Sequence, residues 1–317
     1  MRLVFMGTPD FAVPSLQALL DGEDQVVSVV AQPDQPAGRG MTLRAPPVKV
    51  LAEAHHVPVF QPSKLRPPEV LEHLRAWQPD LIVVAAYGKI LPTTILALPP
   101  YGCINVHASL LPKYRGAAPI QWAIARGETE TGITIMRISE HMDAGDLLFQ
   151  KAIPITDRDT GGTLHDKLAL LGAQALRESL VLLKRGQLTA QPQNEAEVTY
   201  APLIKKEDGR IDWSMDAVAI ERRIRAFNPW PSAYTTLHGQ LFKIFVARVI
   251  AAKEEAGQPA PQLSPGTVIA VTAESVMIAT RVGALALEEV QLEGKKRLPI
   301  REFLKGYRLV PDLTLGI

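Results

Sequence analysis

The chain has 317 residues, 47% hydrophobic and 21% charged, a globular composition with enough apolar material for two domain cores. Lysine and arginine number 34 against 33 acidic residues, so a uniformly basic nucleic-acid binder is excluded and any RNA site must be a local cluster. The single cysteine, Cys103, excludes an intrachain disulfide and a cysteine-built zinc site, and no apolar run reaches the roughly 18 residues of a membrane span.

The apolar opening is cut by Gly7-Thr8-Pro9-Asp10, too early for a secretory signal, so a reducing, cytoplasmic setting is expected. Residues 3–6, 26–30 and 81–85 are continuous apolar or β-branched runs, as in strands buried on both faces of a parallel sheet. Helical spacing over 13–20, 48–55 and 69–77 sets helices between them, and 103–107 reads as another strand. The alternation predicts an α/β fold with a doubly wound, mostly parallel sheet. Strands are expected at 133–138 and 147–155, then a long helix at 160–184 stopped by Gly186. The polar stretch 188–206, containing Gln191-Pro192-Gln193-Asn194-Glu195, reads as a linker. Beyond it come a helix at 216–226 and short strands at 234–237, 241–250, 267–271, 276–279 and 284–292, the rhythm of a small barrel or sandwich. Residues 252–266 read as an exposed loop. The expected division is a first domain over 1–187, a linker over 188–206 and a smaller β domain over 207–317.

Chemistry concentrates where the 103–107 strand ends. Asn105 and His107 stand at i and i+2, so both side chains project from one face beside the carboxyl end of the sheet, where open α/β folds hold ligands. An amide donor beside an imidazole suits a developing oxyanion in acyl transfer, although both groups could simply satisfy loop backbone. Asp143, in Met142-Asp143-Ala144-Gly145-Asp146, reads either as a carboxylate orienting the imidazole or as ordinary turn chemistry. His107, His141, Asp143 and Asp146 could alternatively ligate a metal, though none is expected. Phosphate-loop, dinucleotide, zinc-protease and serine-elbow motifs are all absent, and an acyl transfer without a covalent serine intermediate fits what remains.

These residues sit in blocks that resemble a known family. Asn105-x-His107, continued by Ser109-Leu110-Leu111-Pro112-x-Tyr114-Arg115-Gly116-Ala117-Ala118-Pro119, is similar to the central motif of the folate-dependent formyltransferases, and Gly132 through Gly145 resembles their second signature. The resemblance implies that Asn105, His107 and Asp143 are the catalytic set, and that 10-formyltetrahydrofolate is the formyl donor. It also implies that Tyr87, Gly88, Lys89, Ser109, Leu110, Leu111 and Pro112 bind that carrier. Residues 5–12, 32–40 and 85–92 resemble the branch whose members formylate methionyl initiator tRNA. Ile211-Asp212-Trp213 and Asn228-Pro229-Trp230-Pro231 resemble the opening of its OB-like C-terminal domain, with Ser232 where glycine is frequent.

The expected RNA contacts follow from that branch. Arg39, between Gly38 and Gly40, is placed in a loop reaching the acceptor end, and Lys205, Lys206, Arg222, Arg223, Arg225, Lys295, Lys296 and Arg297 are candidates for the phosphate backbone. Charge runs are also ordinary solvated faces. One chain is expected to serve one tRNA and one folate as a monomer. The rival expectations are a sugar-nucleotide N-formyltransferase or another enzyme using the same donor, and a non-catalytic tRNA binder that would have no need of Asn105, His107 and Asp143 together.

Overall fold

The structure is a computed structural model and describes residues 1–37, 42–250 and 264–316; Arg39 and most of the 252–266 stretch lie outside the described residues. The chain forms two compact units, the first of Met1–Pro119, Glu130–Pro154 and His165–Pro202, the second of Ile120–Thr129, Ile155–Leu164 and Leu203–Ile317.

In chain order the first part runs β1 (Arg2–Gly7), α1 (Val13–Leu20), β2 (Gln25–Val30), β3 (Gln35–Ala37), β4 (Thr42–Arg44), α2 (Pro47–Ala54), β5 (Val59–Phe60) and α3 (Pro68–Ala76). Then come β6 (Leu81–Ala85), α4 (Thr93–Leu96), β7 (Cys103–His107), β8 (Arg115–Gly116), α5 (Pro119–Arg126), β9 (Glu130–Arg137), β10 (Leu147–Pro154) and α6 (Gly161–Lys184). Seven strands make one sheet in the order β10-β9-β7-β6-β1-β2-β5. It is parallel from β7 to β5, and β9 runs antiparallel to both its neighbours. Leu3, Val4, Phe5 and Met6 are fully buried because β1 lies centrally with both faces covered, which is why the run shows no polar alternation. Helices α2 and α3 open on Pro47 and Pro68, where the missing N–H would have had no partner anyway.

The stretch read as a linker is largely tied to the first unit. Leu147 and Gln191 form a β-bridge, and β11 (Tyr200–Ala201) pairs in parallel with β8. Gly116, at φ 124°, allows that approach: a Cβ there would stand 2.6 Å from the Ala201 carbonyl oxygen.

The second unit carries α7 (Ala217–Ala226) and an antiparallel sheet ordered β12-β13-β16-β15-β14, with β17 on β16. The strands are β12 (Ala233–Leu237), β13 (Gln240–Ile250), β14 (Val268–Val271), β15 (Val276–Ala279), β16 (Ala284–Leu292) and β17 (Leu298–Pro299), followed by α8 (Ile300–Leu304). Its core gathers Trp213, Ile220, Ile224, Phe242, Ile244, Leu285, Leu287 and Phe303. The C-terminal segment lies between the two ends of this sheet. Val268 N–H donates to the Leu313 carbonyl at 2.8 Å, Leu315 N–H to Gly266 at 2.9 Å and Gly316 N–H to Thr236 at 3.0 Å. The tail thereby satisfies edges that β14 and β12 would otherwise leave open. Ser232 adopts φ 71°, a left-handed backbone that explains the preference for glycine there; its hydroxyl donates to the Pro229 carbonyl at 2.8 Å.

Candidate active site

Strand β7 delivers Asn105 and His107 to one face, and its pairing with β9 sets His107 opposite Thr134. His107 is buried at 6% exposure. Its Nε2 lies 3.0 Å from the Tyr114 carbonyl oxygen; an acceptor-only partner requires that this nitrogen carry the proton. Nδ1 therefore faces Asp143, whose Oδ2 stands 3.8 Å away, too far for a direct hydrogen bond. The same Oδ2 accepts the Gly116 N–H at 2.8 Å. Asn105 is half-buried, and its amide has no hydrogen-bond partner among the described residues. One uncommitted amide and one imidazole nitrogen, backed by a fixed carboxylate, can polarise a carbonyl and accept a proton.

The backbone around this group is unusual. Ala86, Tyr114 and Asp143 have positive φ without being glycine, at 46°, 64° and 50°. Such conformations persist only where surrounding structure enforces them, and they gather at functional sites. Tyr114, Arg115 and Gly116 supply a carbonyl, a buried cation and an N–H to the site. Sequence reasoning gave them no individual role, because their contribution is through main chain or through partners distant in sequence.

The turn after β7 is locked from below. Thr134 Oγ1 donates to the Ser109 carbonyl at 2.7 Å and accepts the Leu111 N–H at 3.1 Å, while Gln150 donates to the Leu111 carbonyl at 2.8 Å. The Ser109 hydroxyl, fully buried, donates to the Lys113 carbonyl at 2.7 Å. Leu111 is buried, whereas Leu110 and Pro112 remain partly accessible. At the end of β6, Tyr87 is buried and its hydroxyl has no hydrogen-bond partner among the described residues; burial pushes that phenol up to about 12. Gly88 has φ 79° and packs against Gln32. Lys89 donates to the Pro62 and Ser63 carbonyls at 2.8 and 2.9 Å, with burial lowering its pKa. Ile90 beside it is 85% exposed.

The basic candidates separate into engaged and open groups. Arg225 donates to Glu221 at 2.6 Å and to the Asp159 carbonyl at 3.0 Å, and Arg297 pairs with Glu289 while lying 4.2 Å from the centre of the Phe245 ring. Arg222 packs its guanidinium against Gly127, and Arg223 lies within electrostatic reach of Asp212. Lys205, Lys206, Lys295 and Lys296 are exposed, with no ion pair from their ammonium groups among the described residues. No cluster of three or more His, Cys, Asp or Glu able to hold a metal occurs among the described residues, so the structure does not gather His107, His141, Asp143 and Asp146 into one.

The family model described as formyl transferase matches residues 1–180, and that of the formyl transferase C-terminal domain matches residues 203–308. The chain is 52% identical over 319 residues to the methionyl-tRNA formyltransferase of Geobacillus thermodenitrificans, covering 99% of this chain and 98% of that one. With the protein of that name from Citrifermentans bemidjiense the identity is 50% over 317 residues, 100% of this chain and 96% of the other. The chain belongs to the methionyl-tRNA formyltransferase family. As a formyltransferase it shares its fold with an N-formyltransferase from Helicobacter canadensis bound to folinic acid and dTDP-3-aminofucose, at TM-score 0.66 and 19% identity over 90% of this chain and 98% of that one. HypX from Aquifex aeolicus, in complex with tetrahydrofolic acid, aligns at TM-score 0.60 and 22% identity over 96% of this formyltransferase and 48% of HypX. These two likenesses establish the α/β fold with its smaller β-rich domain.

Proposed function

We propose that this formyltransferase moves the formyl group of 10-formyltetrahydrofolate onto the α-amine of methionyl initiator tRNA, with Asn105, His107 and Asp143 as the catalytic set. The observation that carries the reading is the uncommitted Asn105 amide beside His107, whose Nδ1 faces the anchored Asp143 carboxylate at 3.8 Å. The near-identical length and high identity of the relatives select charged tRNA over a sugar nucleotide as acceptor. The resemblance sets the carrier against the 87–89 and 109–112 turns, where Leu110 and Pro112 leave apolar surface partly accessible.

An α-amine has a pKa of about 7.7–8.0, so a useful neutral fraction exists near neutrality and the nucleophile needs little activation. The amine nitrogen bonds to the formyl carbon, and the carbonyl oxygen gains negative charge. Asn105 donates to that oxygen. His107 keeps its Nε2 proton on Tyr114 and presents Nδ1 for the proton leaving the amine; Asp143 steadies the resulting imidazolium. The carbon–nitrogen bond to the carrier then breaks as a proton reaches the carrier nitrogen, completing the balance. The first domain, 1–187, performs this chemistry, the 207–317 domain and its approach hold the RNA, and one chain suffices.

The test is formyl transfer from 10-formyltetrahydrofolate to methionyl initiator tRNA, glycinamide ribonucleotide and an amino-sugar nucleotide. Product on the charged tRNA alone is expected. Transfer to a small amine with the tRNA ignored would overturn the acceptor and keep the chemistry.

A further inference from the structure

Asp143 is held by two separate devices, and only one belongs to the motif strands. Its carboxylate accepts the Gly116 N–H, whereas its main chain is fixed by Gln193, from the polar stretch that sequence reads as linker. The Gln193 amide nitrogen donates one hydrogen bond to the Asp143 carbonyl at 2.7 Å and one to the Gly145 carbonyl at 2.8 Å. Its oxygen accepts Arg115 Nε at 3.0 Å and Nη2 at 2.8 Å. Arg115, only 4% exposed, also binds Glu195, whose carboxyl that hydrogen bond holds below its ordinary value. A buried guanidinium needs several acceptors, and here they hold it facing Gln193. The amide nitrogen is thereby left to donate to the Asp143 turn; the reverse amide orientation would set NH₂ against guanidinium and oxygen against two carbonyls.

We infer that Gln193 is a positioning residue for the formyl transfer: it keeps the left-handed Asp143 turn where the carboxylate faces His107 Nδ1. The inference rests on the catalytic assignment of Asp143 made above. Both devices meet at consecutive residues, since Arg115 orients Gln193 and Gly116 binds the carboxylate. The turn is therefore fixed to β8 from its side chain and from its backbone. Released from Gln193, the strained backbone at φ 50° has a lower-energy alternative, and the carboxylate moves away from the imidazole. Displacement of a catalytic group by about 1 Å can cost on the order of a hundredfold in rate.

Two variants separate this role from simple stability. Gln193→Glu keeps an acceptor for Arg115 and loses both donors, and Gln193→Met loses both functions at similar size. Each is expected to lower kcat per folded molecule by about tenfold or more, with KM for the formyl carrier within about twofold. The decisive arm is the double variant. On an Asp143→Asn background, Gln193→Glu should cost less than about twofold, because the carboxylate it positions is gone. Unchanged kcat in both single variants, a full tenfold loss persisting in the double variant, or failure of both variants to fold would overturn the inference. Wild-type turnover is the control for the underlying reading. An inactive wild type sinks the proposed reaction, while an active wild type with indifferent Gln193 variants sinks only the positioning role.

Discussion

At the scale of the residue, His107 is committed at one ring nitrogen, and this sets what the other can do. The Tyr114 carbonyl claims the Nε2 proton, so in the proposed reaction proton exchange uses the Nδ1 side, where Asp143 lies 3.8 Å away. His107→Ala should therefore lower kcat by about 10²–10⁴ while leaving the KM for charged tRNA nearly unchanged. Steady-state kinetics with saturating carrier would check this, and wild-type turnover in the variant would remove the imidazole from the reaction. Asn105 and His107 were legible because a strand's period of two needs only local spacing. The Tyr114 carbonyl and the Gln193 amide were not. A carbonyl has no sequence signature, and Gln193 meets Asp143 only after the chain has passed through β10 and α6.

At the scale of elements, strands β1 and β6 were readable from unbroken apolar runs, because burial on both faces disfavours polar residues in them. Most of the pieces that escaped notice were short: β5, β8, β11 and β17 each have two residues and α4 has four, too few to establish any period, while α5, with eight, was missed as well. One such irregular piece, the turn between β9 and β10, carries Asp143 and depends on close backbone approach. A Cβ on Gly145 would stand 1.8 Å from the Arg137 carbonyl oxygen, a distance that no side-chain rearrangement relieves. Gly145→Ala should destabilise the protein by more than about 2 kcal/mol and cut turnover by over about tenfold. Gly186→Ala is the control: it has φ 66° with open space around the added methyl, so about 1 kcal/mol of backbone strain and normal turnover are expected. Thermal unfolding paired with initial rates separates the two. Equal, small effects would show that the Asp143 turn shifts its backbone freely.

At the scale of the whole molecule, a net charge of +1 means that RNA binding must come from the charges left uncompensated. Arg225 and Arg297 are already neutralised by Glu221 and Glu289, and each would give up an internal partner to reach a phosphate. Lys205 and Lys206 have no such cost, since their ammonium groups are exposed and unpaired among the described residues. Counterion release predicts that each phosphate contact contributes about 0.7–0.9 to the slope of log affinity against log salt. The Lys205→Ala/Lys206→Ala double variant should then raise the KM for charged tRNA about tenfold at low salt and flatten its salt dependence by one to two such increments. The KM for the folate carrier and the melting temperature should stay at wild-type values. Arg225→Ala should behave oppositely, lowering the melting temperature through loss of Glu221 and the Asp159 carbonyl, with the salt slope intact. A flattened slope in Arg225→Ala together with an unaltered slope in the lysine pair would transfer the RNA site to α7. It would also mean that the Arg225–Glu221 pair opens on binding.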